Sequence, residues 1–193
     1  MRLKINLLIL LSIFLYNAQA QNDNFVAKTN ILYGLTGTLN AGIEYKISDN
    51  VSTEFSANLN PWNYGNWKIE HFIFQPEIRY WFKKTYSHAF LGAHLLYSYF
   101  DFGGFKFPLG IYGGFDLNEF RYEGTFYGIG VGPGYQWYFN RSWGMEASLG
   151  IGYTHWSYNK HKNGKNGAFL EQESGGLFSL TKINLSLVYR IRD

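Results

Sequence analysis

The stretch LNAGIEYKISDNVSTEFSANL, residues 39–59, has the pattern of two alternating strands joined by a tight turn. One face of both strands carries apolar or β-branched residues, namely Ala41, Ile43, Tyr45, Ile47, Val51, Thr53, Phe55, Ala57 and Leu59. The other face carries small, polar or charged residues, namely Gly42, Glu44, Lys46, Ser52, Glu54, Ser56 and Asn58. This period of two is typical of a strand with two unlike faces, and Ser48-Asp49-Asn50 has the composition of a turn.

The same alternation recurs along the chain. It predicts eight strands, at 26–35, 39–47, 51–59, 72–82, 88–99, 125–139, 143–156 and 177–191. Their connections alternate between short turns (SDN, KKTYS, NRS) and long loops (60–70, 101–122, 157–176), and only TGTLN is short where a long loop is expected. This pattern is typical of outer-membrane proteins. The sequence therefore predicts an all-β, eight-stranded antiparallel up-and-down transmembrane β-barrel with both termini in the periplasm.

The composition also favours an apolar environment. Of 193 residues, 46% are hydrophobic, 20% are aromatic and only 16% are charged, whereas about a quarter of an ordinary soluble domain is charged. The absence of cysteine excludes a disulfide scaffold, a thiolate metal site and a thiol nucleophile. The formal charge of +3 is too small to indicate a nucleic-acid partner.

The N-terminus predicts export. Residues 1–20 combine Arg2 and Lys4, an apolar run and a final Ala18-Gln19-Ala20, which is the pattern of a secretory signal peptide. The apolar run is too short to span a bilayer as a helix, which takes roughly 20 residues. We therefore expect a signal peptide over 1–20 and an outer-membrane domain over 21–193. A soluble barrel is the alternative, but its outward face would be polar.

Charged residues on the polar faces form the main candidate site. By strand parity the following side chains all point inward: Glu44, Lys46, Glu54, Glu77, Arg79, Glu146, Lys182 and Arg190. Eight strands leave an interior just wide enough for side chains to fill. We therefore expect these charges to pair and to close the lumen, although a narrow channel remains an alternative. Pro76 and Pro133 should each cause a bulge, because proline cannot complete the strand ladder.

No catalytic residue, metal site or cofactor is predicted. The glycines of 128–134 recur with period two inside a strand and open no helix, so they predict room for bulky neighbours such as Phe90 or Trp81 rather than a phosphate loop. None of the histidines has a metal-binding spacing. One enzymatic alternative stays open: His155 and Ser157 weakly resemble the catalytic strand of outer-membrane lipid A deacylases, with Glu171 or Glu173 as the carboxylate.

The long loops are candidate contact surfaces. Loop 101–122 is rich in rigid aromatic side chains suited to binding a partner, namely Phe102, Phe105, Phe107, Tyr112, Phe115 and Phe120. These rings could equally pack over the mouth of the barrel. Loop 157–176 is basic and could contact anionic lipopolysaccharide or stay solvated. Outer-membrane lipid, lipopolysaccharide and a surface or fimbrial protein are the expected partners, and the oligomeric state stays open.

Several blocks also resemble a known family. The segments NPW (60–62), QPEIRYW (75–81), RYEGTFYG (121–128) and MEASLGIGY (145–153) are similar to a Bacteroidetes family of small secreted proteins of unknown function, expected to be outer-membrane β-barrels. The resemblance covers about residue 28 to the C-terminus. Members are often encoded near fimbrial assembly genes, which implies a role connected with fimbriae or adhesion. One departure is the C-terminus, which ends Tyr189-Arg190-Ile191-Arg192-Asp193 rather than in an aromatic residue.

Overall fold

The computed structural model describes residues 24–64, 67–104, 116–164 and 167–191. Within these ranges the chain forms nine strands and one short helix, α1 (Ile31–Leu35). The strands are β1 (Phe25–Asn30), β2 (Leu39–Lys46), β3 (Val51–Asn60), β4 (Asn63–Tyr64), β5 (Trp67–Trp81), β6 (His88–Gly103), β7 (Phe120–Tyr138), β8 (Trp143–Lys162) and β9 (Phe169–Arg190). The predicted signal peptide lies outside the described residues.

Eight of these strands form a ring-like antiparallel sheet. Neighbours in sequence pair with each other, β3 pairs with β5 past the two-residue β4, and β1 pairs with β9. The structure therefore confirms an all-β fold of eight antiparallel strands in up-and-down order. Among the described residues, no helix is both long enough and apolar enough to cross a membrane.

The strands are staggered around the ring. The path through successive paired residues runs Arg190, Val26, Glu44, Glu54, Glu77, His94, Gly130, Gly152 and Ser179. It returns to β9 eleven residues from its starting point. Such a stagger accompanies strands that tilt relative to the axis of a closed sheet.

The outward faces of β7 and β8 are apolar over a band of equal height. On β7 the outward residues are Tyr127, Ile129, Val131, Pro133, Tyr135 and Trp137. On β8 they are Trp143, Met145, Ala147, Leu149, Ile151 and Tyr153. Each run spans eleven residues and has an aromatic residue at both ends. We call this band the apolar belt. The end of the ring that carries the short turns is called the lower end. Ile151, near the upper edge of the belt, is 61% exposed.

Strand lengths differ from the prediction. The first strand ends at Asn30 rather than at residue 35, because the Asn30 side chain accepts a hydrogen bond from the Leu32 amide (3.0 Å) and caps α1. On the opposite side β7 begins at 120, β8 reaches 162 and β9 begins at 169, so the two last loops are shorter than predicted. Alternation continues into these segments, but their turn-like Gly, Asn and Lys residues hide it.

The predicted bulges at the two prolines are wrong. Pro76 stays in register with Phe55 of β3, and Pro133 stays in register with Leu91 of β6. Each proline loses pairing on one side only, and the register is the same on both sides of the interruption. The register shifts lie instead in the β8–β9 pair, at Gly150/Ile151 and at Lys160/His161.

Gly134 points into the interior of the ring of strands and packs against Phe90. A Cβ on Gly134 would lie 2.1 Å from the Phe90 ring, which confirms that a glycine of 128–134 makes room for that ring. We expect Gly134→Ala to destabilise the protein by about 1–3 kcal/mol, because the added methyl group overpacks the interior. The urea midpoint of refolded protein measures this.

Gly42→Ala is the matched control, since a Cβ on this inward glycine meets its neighbours only at ordinary contact distances of 3.5–3.8 Å. Equal losses for the two variants would contradict this packing. Replacing the aromatic side chain of Phe90 with the smaller one of leucine (Phe90→Leu) should restore much of the lost stability in the Gly134→Ala background.

Candidate functional site

Charged side chains from six strands converge inside the ring. Glu44, Glu54 and Glu77 are direct neighbours on β2, β3 and β5, because each is paired with the next across the sheet. The alternation of the strands places all three on the inward face. The members of this cluster, called here the ion network, are Lys28, Glu44, Glu54, Glu77, Arg79, Glu146 and Lys182.

Arg79 occupies the middle of the ion network. Its side chain is fully buried, and its guanidinium contacts four carboxylates. The distances are 2.9 Å to Glu44, 2.6 Å to Glu54, 3.1 Å to Glu77 and 2.9 Å to Glu146. The planar fork of an arginine suits such multiple recognition. The Phe90 ring lies 4.5 Å from its central carbon, so the cation has an aromatic face as well.

Lys28 is a second cation of the ion network. Its ammonium group contacts Glu44, Glu54 at 2.8 Å and Glu146. The prediction from sequence did not include Lys28, although alternation with Val26 on β1 was the signal that could have found it. Lys182 is a third cation and contacts Glu77.

Neutral groups complete the ion network. Glu146 also accepts a hydrogen bond from the Asn184 amide (2.9 Å). Glu44 accepts one from the Ser52 hydroxyl, which itself accepts one from the Trp81 indole (2.8 Å). Buried charges are tolerated when they are paired and hydrogen-bonded in this way.

The eight predicted inward charges do not all join this cluster. The structure brings together Glu44, Glu54, Glu77, Arg79, Glu146 and Lys182. Lys46 lies at the end of its strand and pairs with the turn residue Asp49 (2.6 Å). Arg190 lies near the short turns with its guanidinium over the Tyr138 ring (4.2 Å). Both residues therefore belong to the rim of the ring.

Hydrophobic side chains fill the ring between the ion network and the short turns. This layer consists of Val26, Trp81, Tyr86, Phe90 and Val188, with Tyr138 packed against it. Trp81 is fully buried, and its ring lies 4.7 Å from that of Phe90. The lower half of the interior is therefore occupied by packed side chains.

Three carboxylates of the ion network are close enough together to hold a metal ion. Oxygen atoms of Glu44, Glu54 and Glu146 all lie within 4.8 Å of one another. However, the Lys28 ammonium already contacts all three. The chemistry of this arrangement is that of an internal salt bridge network.

A charged group marks the upper limit of the apolar belt on the outer surface. Asp101 forms a bidentate pair with Arg121 (2.6 and 2.7 Å) and also binds Lys68 (2.9 Å). Arg121 and the Tyr99 hydroxyl both bind Glu123. Burial would raise the pKa of Asp101, but hydrogen bonds and charge from Arg121 and Lys68 outweigh it and hold this pKa below its ordinary value.

Aromatic residues fill the ring above the belt. Phe100, Tyr122 and Tyr158 are buried there. Of the predicted loop contacts, Phe102 packs against Phe100 (5.4 Å between ring centres), and Phe120 lies beneath the Lys160 ammonium (4.5 Å). These two rings are strand residues that pack within the protein. Phe105, Phe107, Tyr112 and Phe115 lie outside the described residues.

The candidate hydrolase residues do not form a triad in the described structure. His155 and Ser157 share the outward face of β8, where His155 packs against Tyr127 (5.0 Å between ring centres). Glu171 and Glu173 pair with inward residues of β8 instead. Glu171 binds Lys160 (2.7 Å), and Glu173 accepts a hydrogen bond from the Tyr158 hydroxyl (2.6 Å).

Comparison with known proteins gives one family. A family model described as "Protein of unknown function (DUF3575)" matches residues 5–191. No curated protein and no solved structure matches the chain.

The contribution of the ion network to stability can be tested at Lys28. Lys28→Met removes one of the two cations that Glu44, Glu54 and Glu146 share, the other being Arg79. The three buried carboxylates then lack full charge compensation, so we expect a loss of about 3–5 kcal/mol in stability. Urea unfolding of the refolded protein measures this loss.

Lys46→Met is the control, because Lys46 pairs with an Asp49 side chain that is 81% exposed, and such pairs contribute at most about 1 kcal/mol. If Lys28→Met unfolded at the same urea concentration as Lys46→Met, the ion network would not stabilise the ring.

Proposed function

The chain belongs to the DUF3575 family of proteins of unknown function, and we propose that it is a non-enzymatic β-barrel of the outer membrane that acts as a scaffold at the cell surface. Residues 1–20 direct its export. The strands cross the membrane, and the described upper ends of the longer strands carry the loops outside the cell.

The distribution of charge between the two faces carries this proposal. The side chains of Arg79, Glu44 and Glu146 are fully buried inside the ring, while large apolar residues are exposed outside, including Ile129 at 59% and Ile151 at 61%. A soluble ring would place its apolar residues inside and its charges outside. Lipid around the ring makes the observed arrangement favourable, because apolar groups then avoid water.

The height of the apolar belt supports the same location. Eleven residues at about 3.3 Å each, tilted by about 45°, give a band roughly 26 Å high, close to the apolar band of about 25 Å typical of outer-membrane barrels. Aromatic residues at both ends suit the two membrane interfaces. Above the belt, Asp101, Arg121 and Lys68 would lie in the polar headgroup region.

The orientation follows from the lengths of the connections. The short turns lie at the same end as the start of β1 and the end of β9, since Val26 pairs with Arg190. Outer-membrane barrels keep their short turns in the periplasm. Both termini would therefore be periplasmic, and the long loops would face outward toward lipopolysaccharide.

The packed interior favours a scaffold over a channel. The ion network and the hydrophobic layer around Trp81 occupy the lower half of the described ring, and paired charges and packed side chains there disfavour a water-filled path. A lipid A hydrolase is also disfavoured, because Glu171 and Glu173 are bound by Lys160 and Tyr158 on the face opposite His155 and Ser157.

The surface partner is proposed to contact residues 105–115. This segment carries four of the six aromatic contacts predicted from sequence, and the other two, Phe102 and Phe120, pack within the protein. Aromatic side chains are efficient anchors in protein interfaces. The resemblance of the sequence to proteins encoded near fimbrial genes suggests a fimbrial or adhesive surface protein as the partner.

Replacing residues 105–115 with a Gly/Ser segment of equal length tests the role. We expect surface fimbriae or cell adhesion to fall severalfold, because the aromatic anchors are lost, while the protein still reaches the outer membrane and shows a heat-shifted band on a gel.

An equal-length Gly/Ser replacement of residues 163–167 is the control, since it alters another outward loop without aromatic residues. Unchanged fimbriae and adhesion in the first variant, with insertion intact, would rule out residues 105–115 as the contact.

A further inference from the structure

The ring is incompletely paired at one place. β1 pairs with β9 only over Val26–Asn30 and Ser186–Arg190, and the chain then turns into α1. Within the described residues, no strand pairs with residues 169–185 of β9 on the side opposite β8. Instead α1 lies beside this edge, and the Asn30 side chain donates one hydrogen bond to the Ile183 carbonyl (3.3 Å).

A small polar cavity of about 20 Å³ lies directly behind this gap. Its lining includes Lys28, Asn30, Asn40, Lys182 and Asn184. On the outside, the residues nearest to the gap are apolar and exposed, including Leu35 (80%), Leu180 (55%) and Ile183 (54%). The gap therefore lies between the polar interior of the ring and an apolar outer surface.

The helix beside the gap is short and exposed. It is five residues long, none of its residues is buried, and Gly34 lies inside it. Helices this short are not stable without tertiary packing, and glycine is among the weakest helix formers. The Asn30 cap holds its start, and hydrogen bonds from the Thr36 hydroxyl (2.8 Å) and the Thr38 amide (3.0 Å) to the Tyr33 carbonyl hold its end.

The same residues also fit a strand. Alternation continues from β1, with Ile31, Tyr33 and Leu35 on the outward parity of Ala27 and Thr29. The registers seen lower down, where Thr29 pairs with Leu187 and Ala27 with Ile43, extend without change. They place Ile31 opposite Leu185 and Tyr33 opposite Ile183, with Gly34 in a tight turn to β2.

We propose that residues 31–35 form a lateral gate, which exchanges between the short helix α1 and an extension of the β1–β2 hairpin that pairs with β9. The helical state leaves the edge of β9 and the polar cavity open to the side. The strand state adds wall beside the cavity and pairs residues 183–185 of the free edge of β9. The gate depends only on the ring and does not require that the protein lie in a membrane.

Disulfide trapping tests the gate, and the absence of native cysteine makes the background clean. We expect the double variants Ile31→Cys/Leu185→Cys and Tyr33→Cys/Ile183→Cys of the full chain to oxidise within about tenfold of the rate of a control pair. The control is Thr29→Cys/Leu187→Cys, whose residues are already paired in the structure. All three pairs lie on the same parity, so an extended strand would present them with equivalent geometry.

A further substitution tests the exchange itself. Gly34→Ala should slow the trapping of both gate pairs about fivefold, because alanine favours the helix over glycine and a Cβ there meets no neighbour. The control pair should be unaffected by Gly34→Ala. If neither gate pair oxidised while the control pair oxidised fully, the segment would be a fixed helix and the proposal would be overturned.

Discussion

The ion pairs of the buried Arg79 guanidinium with four carboxylates hold the interior of the ring together. A charge with no exposed surface is tolerated only when opposite charges surround it, and Arg79 meets four carboxylates from β2, β3, β5 and β8. β2, β3 and β5 are neighbours in the ring, and β8 lies across it from them. The ion network therefore ties together strands that are distant in sequence and fixes their relative register.

The two faces of the strands differ in polarity. The charges are paired with one another inside the ring, and the outward positions are largely apolar, as in the apolar belt of β7 and β8. Above the belt the outward positions become charged at Asp101 and Arg121. The inward positions become aromatic at the same level, with Phe100 and Tyr158 buried.

The sequence predicted the ring well, because period-two alternation survives in almost every strand, and it predicted the inward side of Glu44, Glu54 and Arg79 for the same reason. The prediction was wrong where a local helix cap overrides the alternation. Residues 31–35 alternate like a strand but form a helix under the Asn30 cap. Lys28 was missed although it lies on the inward parity of Val26 in the predicted strand 26–35. Which inward charges meet depends on stagger around the ring, which a single sequence does not reveal.

The most direct test of the account is whether the apolar belt contacts lipid. A spin label at Ile151→Cys lies on the belt, and one at Asn159→Cys lies on the same face of β8 above it. In lipid vesicles, we predict that the label at 151 collides with oxygen more often than with a water-soluble nickel complex, and that the label at 159 shows the reverse. Equal access of the nickel complex to both labels would contradict a membrane location, since the outer face of the ring would then be in water.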